Sequence, residues 1–148
     1  MTRFAALLLL ASALACAGGA NLRAPGVFLV HGASVDRVWG ATLEALRERG
    51  WSPTDVRQSP GLGVVVTDWF AVGSHGEEFM DCGDPERRVP ARGRVEVRVR
   101  PEPDGVAVDI RSHWRGRVHT GDEADACFTR GVAEDQLREA ILSLVRME

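Results

Sequence analysis

The chain has 148 residues, 18 of them basic and 21 acidic, for a formal net charge of −3. That length suits one domain with a real core, and the slightly acidic balance argues against a nucleic-acid footprint or a polybasic attachment to anionic lipid. All basic residues except the histidines are arginine. Together with abundant alanine and glycine, this reads as coding bias from a GC-rich genome and not as guanidinium-specific recognition.

The amino terminus is an address. Arg3 precedes a largely apolar run from Phe4 to Leu14 that ends in Ala15-Cys16. One positive charge, an apolar segment of about eleven residues and a small residue before the cut describe a secretory signal peptide, too short to be a stable bilayer span. Residues 1–15 are therefore excluded from the fold. The run Ala13-Leu14-Ala15-Cys16 resembles the bacterial lipobox, with the residue types at 13 and 14 exchanged, and the resemblance implies diacylation of Cys16 as the first mature residue. The alternative is an ordinary signal-peptidase site at Ala13-x-Ala15, which releases a soluble periplasmic protein. Cysteine parity bears on the choice. Lipidation of Cys16 leaves Cys82 and Cys127 as an even pair in an oxidising compartment, whereas simple cleavage leaves an odd reactive thiol.

Residues 16–25 then form a short tether that reaches at most roughly 30 Å, so the domain at 26–148 would work close to the membrane surface. Ala17 and Gly18 lack the acidic residue that retains many lipoproteins at the inner membrane. Similarity to that class implies the periplasmic face of the outer membrane.

Within the domain, residues 26–30 are a short apolar run that reads as a strand. Ser34 is a candidate helix N-cap, and Val35, Val38, Trp39, Thr42, Leu43 and Leu46 fall on one helical stripe that stops at Gly50. Residues 51–58 form a weaker strand interrupted by Pro53, and residues 64–72 are the strongest strand signal, with a content that implies a central position. Residues 73–92 carry glycines, acids, prolines and Cys82, and read as a long loop without regular structure. Val95, Val97 and Val99 alternate with arginines and Glu96; Val106, Val108 and Ile110 alternate with Ala107, Asp109 and Arg111. These form a hairpin whose polar face can pair arginines with carboxylates across strands. From Trp114 to Gly121 the sequence turns polar and the apolar face runs out. A last stripe, Val132, Leu137, Ala140, Ile141, Leu144 and Val145, marks a carboxy-terminal helix with Glu134 and Asp135 near its start. The expectation is an α+β, two-layer sandwich: a mostly antiparallel sheet of about five strands with two helices, in the order β-α-β-β-β-β-α.

The block Val35-x-x-Val38-Trp39-x-x-x-Leu43-x-x-Leu46-x-x-x-Gly50-Trp51, followed by Gly63-Val64-Val65-Val66-Thr67-Asp68-Trp69, resembles the BamC-like domains of outer-membrane assembly lipoproteins. The resemblance covers roughly half of the mature chain and implies a helix-grip α+β module. BamC proteins carry two such domains behind a long unstructured segment that binds a partner of the assembly machine; this chain has one domain and a short tether.

Few residues carry recognisable chemistry. Cys82 and Cys127 are expected as a disulfide, closing a loop of about 45 residues and stabilising the domain by about 4 kcal/mol in the chain-entropy model. A zinc site would have to recruit His75, His113 or His119 beside those cysteines, but no local pair has ligand spacing, so no metal or cofactor is assigned. His75 with Glu77, Glu78 and Asp81, near Ser74, is the nearest thing to an acid–base group, and it matches no hydrolase motif. Trp69, Phe70, Phe79 and Met80 are an aromatic and thioether group able to line a groove or, alternatively, to pack in the core. The function expected is a non-enzymatic envelope lipoprotein. It would be held to the membrane by Cys16 and meet another envelope protein through a sheet edge or the groove beside the helices, with no nucleic-acid partner. The alternative is a periplasmic small-ligand-binding protein or hydrolase using the loop around His75.

Overall fold

A computed structural model describes residues 26–73, 76–82, 92–116 and 126–147. The signal segment 1–15, Cys16 and the tether 16–25 lie outside the described residues, as do Ser74, His75 and His119. The elements in chain order are β1 (Gly26–Val30), α1 (Val35–Glu48), β2 (Pro53–Ser59), β3 (Leu62–Thr67), β4 (Phe70–Ala71), α2 (Gly76–Phe79), β5 (Met80–Asp81), β6 (Arg92–Glu102), β7 (Gly105–Arg115), β8 (Ala126–Thr129) and α3 (Val132–Met147). The class is α+β and every strand pairing is antiparallel. The sheet has eight strands where five were expected, in the order β2-β3-β6-β7-β8-β5, with β1 also on β7 and β4 also on β6. The three helices exceed the expected two by the single-turn α2.

The additional strands β4, β5 and β8 have two to four residues each, too short to show a period-two pattern. Two of the additional elements, α2 and β5, correct the reading of residues 73–92 as wholly irregular. The strand expected to be central, 64–72, is split into β3 and β4 and lies one place in from the β2 edge; β6 and β7 hold the centre. Nor does the apolar face end before residue 114. β7 continues to Arg115, and Trp114 is buried on the same face as Val108 and Ile110.

Helix α1 starts where Ser34 Oγ accepts from Arg37 N at 3.2 Å. It ends in a left-handed Gly50 at φ 68°, where Gly50 N donates to Arg47 O and Trp51 N to Leu46 O. That double bond pattern satisfies the last carbonyls and folds Trp51 back onto the helix end. α1 and α3 pack side by side on one face of the sheet, and an Arg37 guanidinium that donates to Val145 O ties them together. The core between the layers is Val38, Leu46, Val65, Val95, Val97, Val99, Val108, Ile110, Leu137 and Ile141, all fully buried, and the core cluster as a whole is drawn from Val30 to Val145. Thr42 is buried with them, its hydroxyl donating to Val38 O at 2.8 Å.

Val66 pairs with Glu96, and Phe70 with Gly93, so three residues (Thr67, Asp68, Trp69) stand opposite two (Val95, Arg94). This is a bulge, and at its start the Val95 amide donates to Thr67 Oγ1 at 3.0 Å. The extra residue reverses the alternation. An uninterrupted strand would turn Trp69 toward the helices with Val65 and Thr67; here Phe70 faces the helices and Trp69 faces the opposite, charged side.

Candidate functional site

The four residues expected to share a groove are divided by that bulge. Phe70 stacks on Trp51, centroids 4.6 Å apart and planes 7° from parallel, and meets Trp114 edge-on at 6.0 Å. Phe79 contacts Trp114 at 5.5 Å, and Met80 is buried beside the same group. These three pack against the helix-side core. Trp69 alone lies on the other face, with the guanidinium of Arg115 over its ring at 4.5 Å and that of Arg94 at 5.4 Å.

That second face is built from the outward alternation of β2, β3, β6, β7 and β1. Over most of its length its charges are matched. Arg98 stands opposite Asp109 and Glu96 opposite Arg111 in the β6–β7 register. Arg98 Nε also meets Glu96 at 2.7 Å, Arg111 Nη2 meets Asp109 at 2.8 Å, Arg100 pairs with Glu102 and Arg57 with Asp55. The Asp109 carboxylate, first by its hydrogen bond and then by its charge, raises the pKa of the Arg111 guanidinium above its ordinary value, and Glu96 adds to the effect.

At the Trp69 end the pattern inverts. Arg94 is directly opposite His113, and Arg92 directly opposite Arg115. Among the described residues no carboxylate pairs with Arg92, Arg94 or Arg115. Arg92 and Arg115 are like charges directly across the sheet, an arrangement that costs stability which the matched pairs further along the same strands do not. Arg94 adds a second cost, because its Nε is buried with no hydrogen-bond partner. Phe128, at 80% exposure, is one residue past the Trp114↔Cys127 pair and so sits beside His113 in the β7–β8 register.

The other polar constellations are closed on themselves. Glu134, buried in the first turn of α3, accepts from Ser112 N at 3.3 Å, Ser112 Oγ at 2.6 Å and Thr129 Oγ1 at 3.1 Å. The Trp114 indole N–H donates to Ser112 Oγ at 2.7 Å and Gly131 N donates to Thr129 Oγ1 at 3.0 Å. This network joins β7, β8 and α3, and its hydroxyls are spent on the carboxylate. Cys82 and Cys127 are joined as a disulfide with Cα atoms 4.5 Å apart. They fall directly opposite each other one step beyond the Met80↔Thr129 and Asp81↔Phe128 pairs, so the bridge continues the register of β5 and β8. Their sulfurs are thereby unavailable to zinc, and His113 lies on the charged sheet face. Of the loop acids, Glu77, Glu78 and Asp81 are exposed, Asp81 facing Arg130 at 3.6 Å.

A third surface lies at the far end of the sheet. β2 is exposed at every residue and, among the described residues, pairs only with β3. Beside its turn is an open groove of about 400 Å³ lined by Val35, Trp39, Pro60, Gly63 and Pro101, with Asp36 at its rim. The Trp39 ring lies against Gly63, where a β-carbon would come within 2.6 Å of it. Sequence reading missed the basic end, the Glu134 network and Phe128. No helix among the described residues is long and apolar enough to cross a membrane. No protein-family model matches this sequence, and no curated protein matches it.

Proposed function

We propose that this chain is a non-enzymatic interaction module of the cell envelope, anchored through Cys16 at the outer membrane and engaging another envelope protein. Its relation to BamC-like assembly lipoproteins belongs to the same proposal. The observation that carries it is the exposed edge strand β2 with the apolar groove at its turn. An edge with free backbone donors and acceptors adds a partner's strand by main-chain hydrogen bonds, and an adjacent pocket supplies side-chain selectivity. Asp55 and Arg57 on that edge guard against indiscriminate pairing while leaving a complementary segment able to dock. The groups with chemical potential, Glu134 with its hydroxyls and the two cysteines, are engaged in holding elements together.

The test is photocrosslinking in intact cells from position 56, where Val56 is 51% exposed on β2, compared with position 143 on the outer side of α3. One defined protein adduct from 56 and not from 143 is the expected result. Adducts that do not depend on position would overturn the assignment. A stable, correctly located His75→Ala or Glu78→Ala variant that reproduces a gene knockout would instead establish the ligand-binding or hydrolytic alternative.

A further inference from the structure

We propose that the basic end of the charged sheet face, Arg92, Arg94, His113 and Arg115 around Trp69, is a docking surface for the phosphate layer of an anionic bilayer. It would set the domain's orientation on the membrane that anchors it. This rests on the reading of Cys16 as the anchor and concerns a different surface from the β2 edge.

Three observations converge. The first is charge. Four basic residues occupy two adjacent cross-strand positions, while Glu96, Arg98, Asp109 and Arg111 on the same two strands are mutually matched. A face designed only to be solvated would continue the matched pattern. Among the described residues this is a local excess of base, invisible in the chain's net charge of −3. A guanidinium stacked on an indole keeps its in-plane N–H groups free, which suits bidentate contact with phosphate oxygens.

The second is Phe128, the most exposed large apolar side chain among the described residues, adjoining His113 in register. An aromatic ring beside guanidinium groups matches the headgroup boundary of a bilayer, where the ring enters the acyl edge and the cations meet phosphates. A soluble anion has no use for the ring.

The third is direction. Gly26 is opposite Ile110 and Val30 opposite Val106, so β1 traced back toward its amino terminus runs along β7 toward Arg115. The amino-terminal end of β1, the side on which Cys16 lies in sequence, thus points toward the basic end of the sheet and away from the β2 groove. The β2 groove lies at the opposite end of the sheet, since Gly63 pairs with Val99 and Pro101 lines it. Eight residue steps along β6, from Gly93 to Pro101, separate the two by roughly 27 Å. The membrane-facing and partner-facing ends are thus distinct.

The experiment is vesicle co-sedimentation of the chain from residue 16 carrying Cys16→Ser, which retains the entire core cluster from Val30 to Val145 and no acyl group. Vesicles of equal parts phosphatidylglycerol and phosphatidylcholine are compared with phosphatidylcholine alone. Binding to the anionic vesicles only, weakening as salt is raised, is expected. Arg94→Gln with Arg115→Gln should weaken it about 25-fold, at roughly fivefold per arginine, and Arg98→Gln on the same face should leave it within about twofold. Should the double variant unfold, the exposed Arg92→Glu serves instead, with a loss of similar size expected. Equal binding to both vesicle types, an Arg98→Gln loss as large as the double variant's, or binding of polyglutamate in place of vesicles would each overturn the proposal. Failure of the anchor is read separately. Cells that incorporate labelled palmitate at Cys16 while the unacylated chain ignores anionic vesicles refute the docking surface alone; vesicle binding without palmitate refutes the anchor alone.

Discussion

The indole of Trp114 occupies the space in which residue 93 would carry a β-carbon: placed there, that atom would be 2.3 Å from Cζ3 and 2.8 Å from Cη2. Gly93 is buried opposite Trp114 in the β6–β7 register, and the missing side chain lets the ring lie across β6 to reach Phe70, while the same ring also meets Phe79. Gly93→Ala must therefore displace a large ring held on several sides. The expected cost is about 2–3 kcal/mol, the range for overpacking a well-filled core, measured as a lowered urea midpoint with an unchanged slope. A variant as stable as the parent would mean that the ring is free to move aside.

Glu134 gives a second measurement. Replacing it with leucine leaves the Ser112 amide and the hydroxyls of Ser112 and Thr129 without their common acceptor in a partly buried site. A loss of about 3 kcal/mol is expected, with Glu134→Gln nearer 1 kcal/mol because one carbonyl oxygen remains to accept. Chemical denaturation of both variants tests the order. A similar loss in the two would show that the charge, and not the acceptor oxygens, carries the network.

The parts of the fold that the sequence discloses are those with repeated signals. The α1 stripe with Ser34 and Gly50, the α3 stripe, and the alternation of valines in β6 and β7 each repeat a period several times, and each is found where expected. β4, β5 and β8 are too short to repeat anything. The bulge at Thr67, Asp68 and Trp69 leaves no periodic trace either, because Val64 to Phe70 is apolar on both faces apart from Thr67 and Asp68, so a reversed alternation looks the same as a continuous one. The basic end was hidden differently. Arg92, Arg94, His113 and Arg115 become neighbours only when the hairpin register is carried outward from Glu102↔Gly105 for ten residues. A turn placed one residue differently pairs other residues. The cysteines were legible because their count, read with an expected oxidising compartment, constrains them without any register.

The disulfide joins β8 to the segment following α2, across a separation of 45 residues. Cys82→Ser with Cys127→Ser should lower stability by about 4 kcal/mol if the chain-entropy contribution is realised in full. The parent protein treated with reductant should show the same shift in midpoint, and the oxidised protein should show no free thiol at either position on mass spectrometry. Loss of stability confined to the serine variant and absent on reduction would mean that side-chain packing, and not the covalent link, carries the effect.

The sharpest test of the bulge compares two neighbours. Phe70, partly buried, packs against the core, stacked on Trp51 and edge-on to Trp114, so Phe70→Ala removes both ring contacts and leaves a gap beside the core, at a cost of about 3 kcal/mol. Trp69 faces the charged side of the sheet, where its ring meets two guanidinium groups, and Trp69→Ala should cost about 1–2 kcal/mol from those contacts and partial burial. Had the strand run unbroken from Val64, the ordering would be reversed, because Trp69 would share the core face with Val65 and Thr67. Equilibrium denaturation of the two variants decides between these registers. If Trp69→Ala proves the more damaging, the alternation is regular, and the indole does not stand on the arginine face.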